Sequence, residues 1–206
     1  FVLVTYHRLG LAFALGALIA SVTVLAILNT AAPLLAILLS GAAVGLILIA
    51  PRLITWMILF VTLVSIILSP AWSVLAPEIF DLLLVNNLIE QGLNHRFVIW
   101  GFASERLLEH PLFGWGLDSS RAIPGGLETI DITVNSNGDI SASQFLPLHP
   151  HNGFLQIWLE LGVVGAILAA VLVVALLKSI LFDTRQAANR AFVTGAYVAT
   201  FILFQL

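Results

Sequence analysis

The sequence predicts an all-α membrane protein, a polytopic bundle of transmembrane helices with one large polar loop carrying short amphipathic helices. Three observations lead there. Of 206 residues, 60% are hydrophobic and 9% charged, far outside the usage of soluble domains. The apolar residues gather into runs close to the ~20 residues that cross a bilayer as helix. Between the third and fourth runs lies a stretch that holds nine of the acidic residues and most of the turn formers.

Residues 9–29, 31–50, 53–69, 153–177 and 191–206 are the five expected spans. They divide the chain into three spans within 1–76, a loop region over 77–150, and two spans within 151–206. Arg8 precedes the first span, Arg52 separates the second from the third, and Lys178, Arg185 and Arg190 lie between the fourth and fifth. These are alternate sides, as the positive-inside rule requires, so the loop faces away from the cytoplasm. That loop carries only three basic residues, Arg96, Arg106 and Arg121. Cysteine is absent, which excludes disulfides, thiolate metal sites and cysteine nucleophiles from this stretch. A net charge of −3 with scattered basic residues offers no footprint for nucleic acid. Membrane lipids are the expected surroundings. The chain opens on Phe1 and stops at Leu206 inside an apolar run, so it reads as a piece of a longer protein.

Leu, Phe and Trp recur at helical spacing over 77–116, predicting short amphipathic helices at the membrane surface. Residues 117–150 are different. Pro124-Gly125-Gly126, Asn135-Ser136-Asn137-Gly138-Asp139 and Pro147 punctuate them without a sustained apolar period, predicting an irregular loop with room for short strands. Connections of that length are usually functional lids or disordered.

Where this loop meets the fourth span the sequence reads Leu148-His149-Pro150-His151-Asn152-Gly153. His151 at such a boundary can meet a lipid-borne and a water-borne substrate together, and its ordinary pKa suits a general base near neutrality. It can equally be a polar anchor. Asn152 is the better helix cap, its side-chain oxygen accepting from the first free amides. His149 and His151 form a two-histidine pair without a third ligand, a weak zinc pattern, and no metal or other cofactor is expected. Below them Asn152, Gln156 and Glu160 recur every four residues as a polar ridge, with Glu160 roughly 12 Å from the helix start. A supporting role suits Glu160 and Gln156 better than direct catalysis. On the earlier helix, Trp100, Ala103 and Leu107 fall within about 40° of Arg96, with Glu105, Arg106 and Glu109 on the far arc. An arginine centred in an apolar stripe must snorkel, bind a headgroup or meet another anion. Arg106 and Arg121 read as surface charges, although Arg121, beside Ser119 and Ser120, is also placed to touch a phosphate. Gly41, Gly45, Gly162 and Gly165 predict close helix approach.

Arg96-x-x-x-Trp100, Pro111-x-x-Gly114-x-Gly116, His151-Asn152 and Glu160-x-Gly162, in that order, resemble the O-antigen ligase and O-antigen polymerase superfamily over about a third of the chain. The resemblance implies a metal-independent inverting glycosyltransferase of the bacterial inner membrane, multi-pass, with its active face in the periplasm. It would move a glycan from undecaprenyl diphosphate to a hydroxyl of lipid A core (ligase) or of another lipid-linked glycan (polymerase). Arg96 and His151 would be catalytic; Arg96, Trp100, Arg121 and Asn152 would bind substrate; Glu160 and Gln156 would support them. The family's further outward-facing arginine would lie upstream of Phe1, since Arg8 and Arg52 fall on the cytoplasmic side. A polysaccharide transporter or flippase is a competing reading, opposed by the scarcity of intramembrane charge and by the lack of a visible Gly/Pro-broken span. A purely structural membrane subunit is a third.

Overall fold

The computed structural model describes residues 16, 19–24, 31–71, 75, 91–134, 140–182 and 187–205. Helix α1 (Ala31–Ile49) is followed by α2 (Pro51–Leu68), which begins on a proline at the first helical position, where no amide hydrogen is needed. A single 3-10 turn, Ser69–Ala71, closes α2. Then come α3 (Gln91–Leu107), a 3-10 turn at Ser119–Arg121, strands β1 (Thr129–Val134) and β2 (Ile140–Gln144), α4 (Gly153–Phe182) and α5 (Ala187–Gln205).

The chain is mostly helical, as expected. Its departure from an all-α plan is the β1–β2 hairpin, antiparallel with Thr129 opposite Gln144 and Val134 opposite Ile140, and irregular between Asp131 and Thr133. The strands fall inside the stretch expected to be irregular. Among the described residues, Pro51–Ala71 and Gly153–Ser179 are long and apolar enough to cross a bilayer, while Pro33–Ile49 and Ala191–Phe204 are shorter apolar helices. Most of the first expected span, the amphipathic segment over 77–90 and the turn at 135–139 lie outside the described residues.

Two compact units divide the described residues. One comprises those up to Ile58 together with Leu176–Phe204. There Ala36, Ala43 and Ile47 line the buried side of α1, and Ala191, Thr194 and Ile202 are buried on α5. The close approach in this unit is at Gly195, where a Cβ would come within 2.6 Å of Val44 Cγ2. Gly41 and Gly45, expected to serve that purpose, meet nothing within 4 Å. The reason is angular: the contact falls on the neighbouring Val44, and the glycine belongs to the partner helix.

The other unit is Leu59–Ala175. Its core joins Ile99, Trp100, Ala103 and Leu107 of α3 to Ile123, Leu146, Leu155 and Leu159, with Phe97, Phe102, Trp115 and Trp158 packed around them. The apolar stripe of α3 therefore faces inward, as its spacing predicts. Trp158 donates its indole N–H to the Ile66 carbonyl at 2.7 Å, fastening α4 to the last turn of α2.

Helix α4 is not one continuous rod. Gly162, at φ 61 and ψ −153, breaks it. This overturns two expectations, that glycine at this position serves helix packing and that no span is broken. In an unbroken helix the amides of Val163 and Val164 would bond to the carbonyls of Leu159 and Glu160. Here the turn after α3 takes those places: Trp115 N–H donates to Leu159 O at 2.8 Å, Gly116 N–H to Glu160 O at 2.9 Å, Val163 N–H to Pro111 O at 2.8 Å and Val164 N–H to Leu112 O at 3.3 Å. Both contacting positions must be glycine. A Cβ on Gly162 would lie 2.5 Å from the Leu112 carbonyl carbon, and one on Gly114 would lie 2.3 Å from that of Glu160. Gly165 belongs to the same break, since a Cβ there would strike Leu161 of its own helix.

Candidate functional site

The site grows from two segments of the Leu59–Ala175 unit, α3 and the approach to α4. Arg96, half-buried, lies one helical turn before Trp100. The Trp100 ring is buried in the core and its indole N–H donates to the Pro150 carbonyl at 2.8 Å. Pro150, itself fully buried, is the residue before His151. One hydrogen bond thus links the arginine helix to the histidine loop across fifty positions of sequence. Trp100, expected to touch substrate, has its indole N–H committed to this bond and acts as a tie. Ser104 Oγ caps the arrangement from below with a 2.7 Å bond to the Trp100 carbonyl.

His151 adopts a left-handed backbone, φ 52, which a non-glycine residue reaches at some cost. Its amide N–H points at His149 Nδ1 over 3.3 Å, so that nitrogen serves as acceptor. The two imidazoles meet edge to face with centroids 4.3 Å apart. Asn152 is the cap the sequence suggests: its Oδ1 accepts from the Leu155 amide at 3.0 Å. Next on the ridge, Gln156 Nε2 donates to Glu160 Oε1 at 3.0 Å, giving the largely buried carboxylate a partner.

Burial holds the His151 pKa below the ordinary imidazole value, and electrostatic interaction with His149, Arg96 and His95, in that order, lowers it further. Desolvation and like charge both disfavour imidazolium. The side chain is therefore neutral, with a lone pair to accept a proton, at neutral pH. The Trp100–Pro150 bond, together with the bearing of Arg96 on His151, draws these two residues, 55 positions apart, into one neighbourhood. His95 was not singled out from the sequence. Its Nε2 lies 3.1 Å from the Gln144 carbonyl at the end of β2, coupling the hairpin to the arginine helix. Only its adjacency to Arg96 marked it, and neighbouring side chains on a helix point about 100° apart.

Arg121 is exposed on its 3-10 turn, next to the buried Ser119 and Ser120, and is not among the charges that bear on His151. Arg106, read as a surface charge, is more enclosed than expected. It pairs with Glu109 at 2.6 Å, lies 5.0 Å above the Phe102 ring, and its carbonyl receives the Trp115 indole N–H at 2.8 Å. It braces the turn that fills the α4 break. Among the described residues, no three His, Asp or Glu side chains gather into a metal site.

The O-antigen ligase family model matches residues 15–170. The chain belongs to that family. Among curated relatives, the "Putative polysaccharide ligase" of Rickettsia conorii is 44% identical over 86 residues, covering 42% of this chain and 20% of the relative. Proteins of the same description from Rickettsia prowazekii and Rickettsia typhi are 35% identical over 142 residues and 36% over 144, each covering 66% of this chain and 33% of the relative. The chain thus spans a fifth to a third of the length of these relatives. No solved structure matches it significantly. The match takes in every element of the site, from Arg96 to Glu160, and the Gly162 break as well. Family membership and the apolar helices together make this a membrane protein of the O-antigen ligase family.

Proposed function

We propose that this chain carries part of the active site of an inverting, metal-independent glycosyltransferase on the periplasmic face of the bacterial inner membrane. The donor is a glycan on undecaprenyl diphosphate and the acceptor a sugar hydroxyl of lipid A core. His151 accepts the hydroxyl proton as the acceptor oxygen forms its bond to the anomeric carbon. The bond from that carbon to the diphosphate breaks on the opposite side, and the electron pair leaves with undecaprenyl diphosphate. Arg96 pairs with the diphosphate through its planar donors and stabilises the charge that accumulates there. Trp100 and Asn152 hold the two groups in register, with Gln156 and Glu160 bracing the helix below; Arg121 is a peripheral donor for the glycan or phosphate.

The observation that carries this reading is the Trp100–Pro150 bond, which ties the helix bearing Arg96 to the residue just before a partly buried imidazole at the start of α4. Ligation is favoured over polymerisation by the description the Rickettsia proteins share. The glycine break in α4 removes one argument against a transporter. Its main-chain groups are, however, bonded to the 111–116 turn and not turned toward a transport path. The test is complementation with the full-length protein in a strain lacking surface polysaccharide ligation. Arg96→Ala and His151→Ala are expected to abolish attachment of long polymer to lipid A core while polymer still accumulates unattached. Wild-type attachment by either variant would overturn the assignment, and a null strain making single attached repeats would favour the polymerase.

A further inference from the structure

The turn that fills the α4 break carries a strongly apolar tip toward the outside. Leu112, Phe113 and Leu117 are 60%, 73% and 75% exposed, while Glu109, His110 and Asp118 flank them as an exposed polar rim. Monomeric proteins seldom leave such a group in water. What covers it follows from α4. Before the break the helix is buried: Phe154, Leu155, Leu159 and Glu160 are all within the unit's interior. After it, Val164, Ile167, Leu168, Val171 and Leu172 form an exposed stripe at helical spacing. Residues 163–182 are roughly 20 in number, or about 30 Å of helix, the thickness of the hydrocarbon core. The break therefore falls where the buried stretch of the helix gives way to its exposed apolar stripe. Leu112, bonded through its carbonyl to Val164, sits level with the first turn of the lipid-facing stripe.

We propose that Leu112, Phe113 and Leu117 form a wedge that inserts among the acyl chains of the leaflet next to the site. Non-helical backbone enters hydrocarbon only when its polar groups are satisfied by protein. The four main-chain bonds to Leu159, Glu160, Val163 and Val164 satisfy the Pro111 and Leu112 carbonyls and the Trp115 and Gly116 amides, and the rest of the turn's main chain stays at headgroup level while the three side chains reach below it. The polar rim stops the wedge at headgroup depth. Its consequence is to fix the height of Arg96 and His151 above the bilayer, and it holds whether or not those residues transfer glycan.

The test uses the full-length protein, its other cysteines replaced, in vesicles of phosphatidylethanolamine and phosphatidylglycerol. Phe113→Cys and Leu117→Cys are spin-labelled, with Glu105→Cys on the exposed arc of α3 as the aqueous reference. Labels at 113 and 117 are expected to collide severalfold more with oxygen than with a water-soluble nickel chelate, and the label at 105 the reverse. Nickel accessibility at 113 and 117 equal to that at 105 would overturn the wedge. So would shielding from both reagents, which would mean that another protein surface covers the tip. The readout is not activity, so failure of the glycosyltransferase reading leaves it unaffected.

Discussion

Replacing Gly162 by alanine should open the joint between the Pro111–Gly116 turn and α4. The added methyl would lie 2.5 Å from both the carbon and the oxygen of the Leu112 carbonyl and 2.7 Å from the Phe113 nitrogen. All three are main-chain atoms, so no rotamer change relieves the clash. The backbone at φ 61, ψ −153 lies in a region nearly confined to glycine, costing any other residue about 1–3 kcal/mol. If the turn lifts away, four hydrogen bonds go with it, at about 1 kcal/mol each. The sum is roughly 5 kcal/mol, or more than three decades in the opening equilibrium. Hydrogen exchange read by mass spectrometry on the full-length protein measures this directly, at the amides of Trp115, Gly116, Val163 and Val164. They should lose protection by about a thousandfold in Gly162→Ala and in Gly114→Ala. Gly116→Ala is the control, because its φ is 97 but a Cβ there meets nothing within 4 Å; strain alone should cost it about tenfold. Gly45→Ala, in the open middle of α1, should cost nothing and gain up to about 1 kcal/mol of helix propensity. If Gly162→Ala protects these amides as well as wild type, the clamp is not what holds the turn.

Trp100→Phe keeps most of the buried ring but leaves the buried Pro150 carbonyl without this partner, so stability should fall by about 1–3 kcal/mol. If Trp100 positions His151, turnover should drop at least tenfold with little change in donor KM; an unchanged turnover number refutes the tie. His149→Asn removes the largest electrostatic contributor to the depressed His151 pKa and part of its cover. The imidazole should then titrate closer to 6.5, so the basic form is lost at a higher pH as acidity increases. The acid limb of the rate profile should move upward, leaving activity at pH 8 unchanged and activity near pH 6 reduced; a limb that stays or moves down contradicts the proposed base. Glu105→Gln, on an exposed carboxylate remote from these contacts, should leave transfer within twofold of wild type.

Much of this was legible because periodicity and capping are local. The inward face of α3, the Asn152 cap and the Gln156–Glu160 pair all depend on neighbours within one helical turn, and the spacing of the sequence encodes them. Gly162 was misread because a glycine between apolar residues has the same signature whether it admits a helix or a turn. Only the docking of 111–116, fifty positions away, decides between the two. For Trp100 the ring was placed correctly inward, but its N–H partner, Pro150, belongs to a loop whose path no local rule fixes. His149 illustrates the same limit. Its sequence position offered only a weak metal pattern and no other role, whereas its ring serves as a wall and an acceptor for the next residue but one, His151.

The joint in α4 is written in main chain alone. Apart from the glycines whose Cβ atoms are forbidden, no side chain takes part in its four bonds, so Leu112, Phe113, Leu161 and Val163 are interchangeable as far as that union is concerned. Proteins of this architecture can refit the outward residues to a thicker, thinner or stiffer bilayer while the imidazole and guanidinium stay where they are. Comparing sequences would register such a refit as divergence and would see the glycines at 114, 162 and 165 persisting at the seam.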